Sequence, residues 1–477
     1  MGTRIEHDFI GELEIDENVY YGIQTLRAVE NFNITGQRLS EFPIFIIALA
    51  QVKKAATLAN YELGLLDSVI KDAIIKACDK IIAGEYHDQF VVDMIQGGAG
   101  TSTNMNTNEV IANIALEIMG HKKGEYQFCH PNDHINLSQS TNDVYPTALR
   151  IALYEQLSMF SESMGILKES LKKKAKEFAH VLKMGRTQLQ DAVPMTLGQE
   201  FGAFASMVRI DIERVLDARN LIRVINLGGT AIGTGINSHP DYRQKVEQKL
   251  QEVTGRPFVT ANDLIEATQG TGGYVQISGV LKRVSVKISK ICNDLRLLSS
   301  GPRAGLNEIN LPKMQPGSSI MPGKVNPVIP EVVNQVCFSV IGNDVTITMA
   351  AEGGQLQLNV FEPVIAYGLF NSIKMLSRAI ETLAHKCIDG ITANEEICRN
   401  FVFHSIGIVT ALNPYIGYEN SASIAKEALQ TGKPVYDLVL ERKLLTKEQL
   451  DEIFKLENML NPQMYNKTKI MDLHAKK

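Results

Sequence analysis

The sequence predicts a mainly α-helical protein with a central bundle of five long helices. Apolar residues alternate three and four positions apart along residues 153–171 and again along 277–298, which is the spacing of helices that pack at a shallow angle. Further helical stretches cover residues 196–225, 328–351 and 363–389. At 1.5 Å per residue, helices of roughly 25 to 35 residues are ~40 to 50 Å long.

Helices of this length indicate an assembly of several copies of the chain. The average helix of a globular protein has only about three turns. Residues 328–351 are also apolar on almost every side, so they need neighbours all round. We therefore expect a homo-oligomer in which the long helices form a shared core.

Three domains are expected along the chain. Residues 1–140 predict a mostly helical N-terminal domain, in which residues 12–21 have weak strand character. The bundle occupies residues 141–395. Past that point the helical pattern shortens, which predicts a small C-terminal helical domain over residues 396–477. The polar end of this domain, residues 466–477, is expected to fray.

Composition and charge exclude several classes of protein. The chain has 477 residues, more than one hydrophobic core usually serves, and its 21% of charged residues is ordinary for a globular protein. The net charge of −5 argues against a nucleic-acid partner. Residues 1–10 lack the apolar core of a signal peptide, and the apolar run at 42–50 is too short to span a bilayer. We therefore expect no membrane partner.

Cysteine usage is typical of a cytoplasmic protein. The six cysteines are scattered and form no CxxC pair: Cys78, Cys129, Cys292, Cys337, Cys387 and Cys398. We expect them to be reduced and buried as small hydrophobic side chains. A catalytic cysteine is the alternative, but no motif marks any of them as activated.

Four polar segments interrupt the helices and contain the candidate chemical groups. They are residues 98–109 (GAGTSTNMNTNE), 139–143 (QSTND), 185–192 (GRTQLQDA) and 317–327 (GSSIMPGKVNP). Glycine and proline make the last segment a candidate for a loop that closes over an anion. The alternative is a turn-rich surface loop, against which the long predicted helices on both sides and the carboxylate-binding polar groups argue. The first is either an anion-binding helix start or a capped helix entry.

The side chains in these segments suit a small dianion. Hydroxyl and amide groups donate hydrogen bonds to carboxylate oxygens, and one lysine balances the charge. Such a site could remove a proton next to a carboxylate and hold the resulting enediolate with positioned donors. Composition alone shows only that these groups are compatible with that reaction.

Two other segments suggest a metal or a cofactor without supporting one. His130 and His134 lie four residues apart in HPNDH, but the proline and the missing third ligand argue against a metal site. The run GGTAIGTG at residues 228–235 is not a dinucleotide-binding motif, because no strand precedes it and no βαβ unit surrounds it.

The four polar segments together resemble the aspartase/fumarase superfamily. GSSIMPGKVNP resembles the signature loop of that superfamily, and the other three segments match it as well. The resemblance extends from about residue 4 to about residue 465. It implies a three-domain fold, a homotetramer with a twenty-helix core, and active sites that are each built from three subunits around a dicarboxylate substrate.

Positions 141 and 188 favour the aspartases over the class II fumarases. Fumarases typically carry Ser where this chain has Thr141 and His where it has Gln188. The flanks AGLNEINLP (304–312) and PEVVNQVCF (330–338) are also similar to aspartases. Gln cannot titrate, so the general acid is left unassigned. The HPNDH turn resembles a second anion site of fumarases, or is a turn that both families share.

The resemblance implies reversible deamination of L-aspartate to fumarate and ammonia through an enediolate, or aci-carboxylate, intermediate. Ser318 would be the general base. The implied substrate contacts are Thr101, Ser140, Thr141 and Ser319 at the β-carboxylate; Lys324, Asn326, Thr187 and Gln188 at the α-carboxylate; and Asn142 with Thr101 at the amino group. No cofactor is required, since the carboxylate is the electron sink. Some aspartases are activated by a divalent cation such as Mg²⁺, and no ligand cluster in this sequence tests that.

Two alternatives to this function remain at the level of the sequence. The first is a class II fumarase, which would form malate from fumarate without using ammonia. The second is a non-catalytic helical scaffold, since members of the superfamily have been recruited as structural lens proteins. The presence of Ser318, Lys324 and Asn326 argues against the scaffold, because function is inferred from the site and not from the fold.

Overall fold

Helix dominates the structure, a computed structural model that describes residues 2–460. The helices are α1 (Ile23–Asn31), α2 (Pro43–Glu62), α3 (Ser68–Ile82), α4 (Thr101–Ile118), α5 (Thr141–Glu177), α6 (Leu197–Leu221), α7 (Tyr242–Thr254), α8 (Leu264–Gln269), α9 (Gly272–Leu298), α10 (Val328–Glu352), α11 (Glu362–Lys386), α12 (Glu395–His404), α13 (Val409–Ile416), α14 (Tyr418–Thr431), α15 (Val435–Glu441), α16 (Lys447–Ile453) and α17 (Leu456–Leu460). The segment 466–477, which we expect to fray, lies outside the described residues.

Strands occur only as short pairs within the described residues. They are β1 (Thr3–Asp8), β2 (Gly11–Asp16), β3 (Leu182–Thr187), β4 (Gln190–Thr196), β5 (Val224–Ile225), β6 (Val259–Thr260), β7 (Ile309–Asn310) and β8 (Thr392–Ala393). Antiparallel pairing joins β1 to β2, β3 to β4 and β7 to β8, whereas β5 and β6 are parallel. The weak strand signal at residues 12–21 is confirmed only as far as Asp16.

The five long helices are confirmed, and they are α5, α6, α9, α10 and α11. The longest, α5, has 37 residues, and the other four have 25 to 27. The apolar residues that predict α5 are all completely buried: Leu153, Leu157, Phe160, Met164, Leu167 and Leu171. The spacing of these residues therefore marks the face of the helix that packs into the core.

The described chain forms two compact units. One contains the described parts of Met1–Glu162, Asp211–Val286 and Val336–Ser377, and the other contains Ser163–Ile210, Lys287–Gln335 and the described part of Arg378–Lys477. Every point at which the chain passes from one unit to the other lies inside one of the five long helices. The boundaries of the three expected domains stay a prediction.

The helices and the burial of their side chains bear on membrane insertion and on cysteine chemistry. No helix within residues 2–460 combines the length and the apolar character that crossing a membrane requires. All six cysteines are buried. Burial raises the pKa of several of these thiols to about 12, which makes thiolate chemistry unfavourable: Cys78, Cys129, Cys387 and Cys398.

Candidate active site

The predicted site residues are divided between the two units. The first unit contains Thr101, Ser140, Thr141 and Asn142, and the second contains Thr187, Gln188, Ser318, Ser319, Lys324 and Asn326. Within each unit, the residues lie at helix starts, at a hairpin tip or in a loop, which are positions where ligand-binding residues are common.

In the first unit, the N-terminal turns of α4 and α5 lie next to each other. Thr141 begins α5, and its Oγ1 accepts a hydrogen bond from Asn104 Nδ2 of α4 over 3.2 Å. Gly100 precedes α4 with a φ of 89°, and a Cβ atom there would lie 2.2 Å from the ring of Tyr145. Only glycine therefore allows the start of α4, with Thr101, to approach α5 this closely.

Two buried ionisable side chains, Asp143 and Lys53, lie near the start of α5. Asp143 is completely buried, and its carboxylate accepts hydrogen bonds from three backbone N–H groups. Burial raises the pKa of Asp143 to about 6, although those hydrogen bonds and the Lys53 ammonium lower it. Lys53 Nζ donates to Asn136 Oδ1 and Gln139 Oε1 over 2.9 and 3.0 Å, and burial lowers the pKa of Lys53 to about 7.

A cavity of about 670 Å³ opens beside Ser140 and Thr141. Its lining also includes Thr230 and Ala231, from the glycine-rich segment 228–235 that sequence reasoning left without a role, and Asn237, two residues beyond that segment. The φ angles of Thr230 and Asn237 are 53° and 63°, in the left-handed region that residues other than glycine rarely adopt. The conformation of the β-branched Thr230 persists only where the surroundings enforce it, so this segment is held in place beside the candidate site.

The two histidines of HPNDH have a structural role within the described chain. His130 Nδ1 accepts hydrogen bonds from the backbone N–H groups of Asn132 and Asp133, and His134 Nδ1 accepts one from the N–H group of His130. These bonds close a π-helical turn over Pro131–Ile135. Residues 2–460 contain no group of three His, Cys, Asp or Glu side chains that could hold a metal ion.

In the second unit, Thr187 and Gln188 lie at the tip of a β-hairpin. Sequence reasoning describes the GRTQLQDA segment only as an interruption between helices, whereas the structure pairs β3 with β4 and pairs Thr187 with Gln190 across the tip. Gln188 and Leu189 have φ angles of 54° and 62°, which form the tight turn that matches the twist of a hairpin. Leu189 is 70% exposed there.

Four charged side chains support this hairpin, and two of them, Lys183 and Glu308, are buried. Arg186 Nη1 donates to Glu308 Oε1 over 2.6 Å, and Lys183 Nζ donates to Glu200 Oε2 over the same distance. Lys183 Nζ also lies 2.9 Å from Glu308 Oε2 as an ion pair. Burial acts to lower the pKa of Lys183, but the two carboxylates outweigh it and raise that pKa. Lys183 is therefore a charged group in the protein interior.

The loop over residues 317–327 is held closed at its base. Gly317 N–H donates to Lys324 O over 2.8 Å, and Asn326 Nδ2 donates to Gly317 O over 2.7 Å. A Cβ atom at Gly317 would lie 2.4 Å from Lys324 O, so glycine is required there. Lys324 Nζ makes no hydrogen bond or ion pair within residues 2–460, and its side chain is exposed. The ammonium group is therefore available to an anion.

Ser318 occupies a position that favours its ionised form. Its Oγ accepts hydrogen bonds from the backbone N–H groups of Ile320 and Met321 over 3.2 and 2.9 Å. Two donors aimed at one oxygen stabilise that oxygen as an anion, and hydrogen bonds to the charged form favour ionisation. Sequence reasoning could not find these donors, because they belong to the backbone and carry no side-chain signal.

Comparison with known proteins identifies the class to which this fold belongs. The model of the family described as "Lyase" matches residues 11–342, and the model described as "Fumarase C C-terminus" matches residues 408–461. A fumarate lyase:delta crystallin from Brucella melitensis, solved bound to cobalt, has 53% sequence identity and a TM-score of 0.95, covering 97% of this chain and 100% of that one. The chain therefore belongs to the lyase family, within the aspartase/fumarase superfamily.

Several relatives that match nearly the whole chain are named aspartate ammonia-lyase. The protein of that name from Helicobacter pylori is 74% identical over 466 residues, which is 98% of this chain and 100% of the relative. The Escherichia coli protein is 57% identical over 460 residues, 96% of each chain. A class II fumarase structure from Schistosoma mansoni is 36% identical, with a TM-score of 0.90 over 95% of this chain and 98% of that one. The chain is thus more similar to these aspartases than to that fumarase.

Proposed function

We propose that the chain is an aspartate ammonia-lyase, which converts L-aspartate reversibly to fumarate and ammonia. The observation that carries this proposal is the near-full-length identity of 57% to 74% with proteins of that name. A carbon–nitrogen lyase of this kind needs a base for one proton, donors for two carboxylates and room for the amino group. The residues of the candidate site supply groups of each type.

The chemistry of Gln188 supports an amine as the leaving group. The amino group of L-aspartate is an ammonium ion at neutral pH, so it leaves as neutral ammonia and needs no proton from the enzyme. The hydroxyl group of malate, in contrast, needs a proton to leave as water. Gln188 has no proton to give in this way, and this favours deamination over dehydration. The unassigned general acid is therefore not required for deamination.

Ser318 would take the proton from C3 of L-aspartate. The electrons of the C3–H bond move into the β-carboxylate to form the enediolate, and then form the C–C double bond as the C–N bond breaks with its electron pair on nitrogen. The proton on Ser318 returns to solvent, which restores the base. The N–H groups of Ile320 and Met321 support this role because they stabilise the ionised oxygen before the transfer and again after the proton has returned to solvent.

The two carboxylates of the substrate would bind at different elements. The first turns of α4 and α5 offer Thr101, Ser140 and Thr141 to the β-carboxylate, with Ser319 from the loop, and the positive ends of two helices favour the enediolate charge. The α-carboxylate would meet Lys324 and Asn326, with Thr187 and Gln188 alongside. Asn142, with Thr101, would contact the amino group.

We further propose a homotetramer in which three subunits contribute to each active site. Along α10, three apolar side chains are strongly exposed in the single chain, namely Phe338 (60%), Val345 (60%) and Met349 (69%). They recur seven and four residues apart, so they form one stripe that a neighbouring helix would bury. Leu189 at the tip of the β3–β4 hairpin is also an exposed apolar side chain, which another copy of the chain would bury.

The proposed reaction needs no organic cofactor, because the β-carboxylate accepts the electrons. Residues 2–460 offer no three-residue cluster of His, Cys, Asp or Glu for a metal, and no step of the reaction passes through a cation. Activation by Mg²⁺ is a separate proposal, which a comparison of rates with added Mg²⁺ and with a chelator tests. We also propose a cytoplasmic location as a separate point, which cell fractionation tests.

One assay tests the reaction directly. L-aspartate is supplied to the purified protein, and ammonia release is measured together with the ultraviolet absorbance of fumarate. Equal amounts of both products are expected, and malate formed from fumarate without ammonia would identify a fumarase instead. The variant Ser318→Ala should keep its thermal midpoint of unfolding and lose about 10²- to 10⁴-fold in kcat, which is the contribution typical of a general base. Near-normal turnover would remove Ser318 from the mechanism.

A further inference from the structure

The side-chain amide of Asn142 is held in one orientation by the carbonyl group of Ala231. Asn142 Nδ2 donates to Ala231 O over 2.8 Å. A backbone carbonyl only accepts hydrogen bonds, so the amide turns its NH₂ group, and not its oxygen, towards Ala231. Asn142 Oδ1 makes no hydrogen bond within residues 2–460, and the residue is partly exposed. The oxygen is therefore free to accept a hydrogen bond from a ligand.

A buried carboxylate fixes the 226–233 loop, which contains Ala231, against the first turn of α5. Asp143 Oδ2 accepts hydrogen bonds from the N–H groups of Gly228 and Thr230 over 3.1 and 2.9 Å. Asp143 Oδ1 accepts one from the N–H group of Ser140 over 2.9 Å. The Asp143 side chain thus connects the turn before α5, which contains Ser140, to the 226–233 loop.

Two further features over-determine this arrangement. Asn226 Nδ2 donates to the backbone oxygen of Asn142 over 2.9 Å, so the loop holds both the main chain and the side chain of that residue. Thr230 is β-branched and has a φ of 53°, a strained conformation that persists only where its surroundings enforce it. The hydrogen bond from Thr230 N–H to Asp143 is one such constraint.

We propose that Asp143 and the 226–233 loop form a positioning frame that turns Asn142 Oδ1 towards the amino group of the substrate. This inference rests on the proposed function. An ammonium group has three N–H donors and no acceptor, so an oriented oxygen complements it through a charge-assisted hydrogen bond. A carboxylate has acceptors only, and the same oxygen repels it. The frame therefore selects which end of the substrate lies beside Asn142.

Two substitutions at Thr230 distinguish the effect of releasing the 226–233 loop from the effect of losing the Thr230 side chain. Thr230→Pro removes the N–H group that Asp143 binds and forces φ to about −65°. Thr230→Gly is the matched control, because it also removes the hydroxyl group but keeps the N–H group and adopts the left-handed conformation without strain. Both variants leave the hydrogen bond between Asp143 and Ser140 in place. The two variants therefore differ in the N–H group at position 230 and in the φ angle there, which are the two features that hold the loop.

The measurement is the rate of the reverse reaction, with KM determined separately for ammonia and for fumarate. In Thr230→Pro, we expect KM for ammonia to rise by about tenfold or more, since a hydrogen bond to a charged group is lost. KM for fumarate should change by less than about twofold, because its carboxylate donors are untouched. Thr230→Gly should resemble the wild type. A parallel rise of both KM values in Thr230→Pro, or equal behaviour of the two variants, would overturn the proposal.

A milder variant covers the case in which Thr230→Pro does not fold. Asn226→Ala removes the hydrogen bonds to Asn142 O and to Thr268 Oγ1, and it also removes Asn226 Oδ1, a buried acceptor that has no partner within residues 2–460. The same selective rise in KM for ammonia is expected, and an unchanged value refutes the frame. A wild type that releases no ammonia from L-aspartate refutes the proposed function instead.

Discussion

Replacing Glu308 by Gln tests how far the buried charges beneath the β3–β4 hairpin stabilise the protein. Glu308 is completely buried, and its two oxygens face Arg186 Nη1 at 2.6 Å and Lys183 Nζ at 2.9 Å. Gln preserves the shape of the side chain. It removes the negative charge, however, and turns an NH₂ group towards one of the two cations.

The size of the effect follows from what remains in the network. Glu200 still pairs with Lys183 Nζ over 2.6 Å, so Arg186 is the cation that loses its carboxylate. Removing one partner of a buried ion pair costs about 3–5 kcal/mol. The Arg186 side chain is 15% exposed and retains some contact with solvent. We therefore expect Glu308→Gln to lower the free energy of unfolding by about 3 kcal/mol, at the lower end of that range.

Urea unfolding followed by circular dichroism measures this difference, and Glu441→Gln is the matched control. Glu441 pairs with Lys433 over 2.8 Å, a similar distance, but both side chains are about half exposed. An exposed pair is screened by solvent and contributes little, so the control should unfold at the same urea concentration as the wild type. Equal destabilisation by the two substitutions would show that burial does not determine the effect.

Three other substitutions test the hairpin tip, the buried lysine and the exposed stripe of α10. Leu189→Asn should raise the free energy of unfolding by about 1 kcal/mol, since Asn tolerates the left-handed turn; a loss would mean that the leucine contacts outweigh the strain. The pKa of Lys53 is about 7 in the native state and 10.5 as the reference for the unfolded chain, so unfolding takes up a proton between these values. The stability of the wild type relative to Lys53→Met should therefore rise with pH across that window, by about 1.4 kcal/mol per pH unit, in urea titrations at several pH values. Phe338→Asp should reduce the sedimentation coefficient by dissociating the assembly, and an unchanged value would remove the stripe from the subunit interface.

The long helices were predictable because their signal is local. The spacing of apolar residues within a single stretch determines which face of a helix is buried, and the helix predicted over residues 196–225 is observed as Leu197–Leu221. The resemblance to the superfamily was also recognised from local sequence, namely from four short motifs. Each motif contains enough specific residues to be recognised without knowledge of its neighbours in space.

The β3–β4 hairpin was missed for an equally local reason. The usual signal for a tight hairpin is Asn-Gly or Asp-Gly at the tip, whereas this tip is Gln188 and Leu189. Gly185 and Pro194 also lie inside the strands, and both residues normally argue against strand formation. Tertiary support from the buried charges, and not local preference, determines this element.

The hydrogen-bond partners of the site residues could not be predicted from the sequence, because they are distant along the chain. Asn142 and Ala231 are 89 residues apart, and no pattern along the chain records that one accepts a hydrogen bond from the other. Asp143 was visible within QSTND but had no role, because its three donors are backbone groups. Side-chain motifs therefore indicated the substrate contacts, and only the structure indicated what positions them.

The passage of the chain between the two units inside long helices has a consequence during biosynthesis. The last segment of the first unit ends at Ser377, so a ribosome must make more than three quarters of the chain before that unit has all its parts. N-terminal domains of many proteins fold while the rest is still being made. In this chain the early segments of the first unit remain incomplete during synthesis, so the apolar faces of their helices stay exposed. Nascent chains stalled before Ser377 should therefore be cleaved by protease much faster than chains stalled after it.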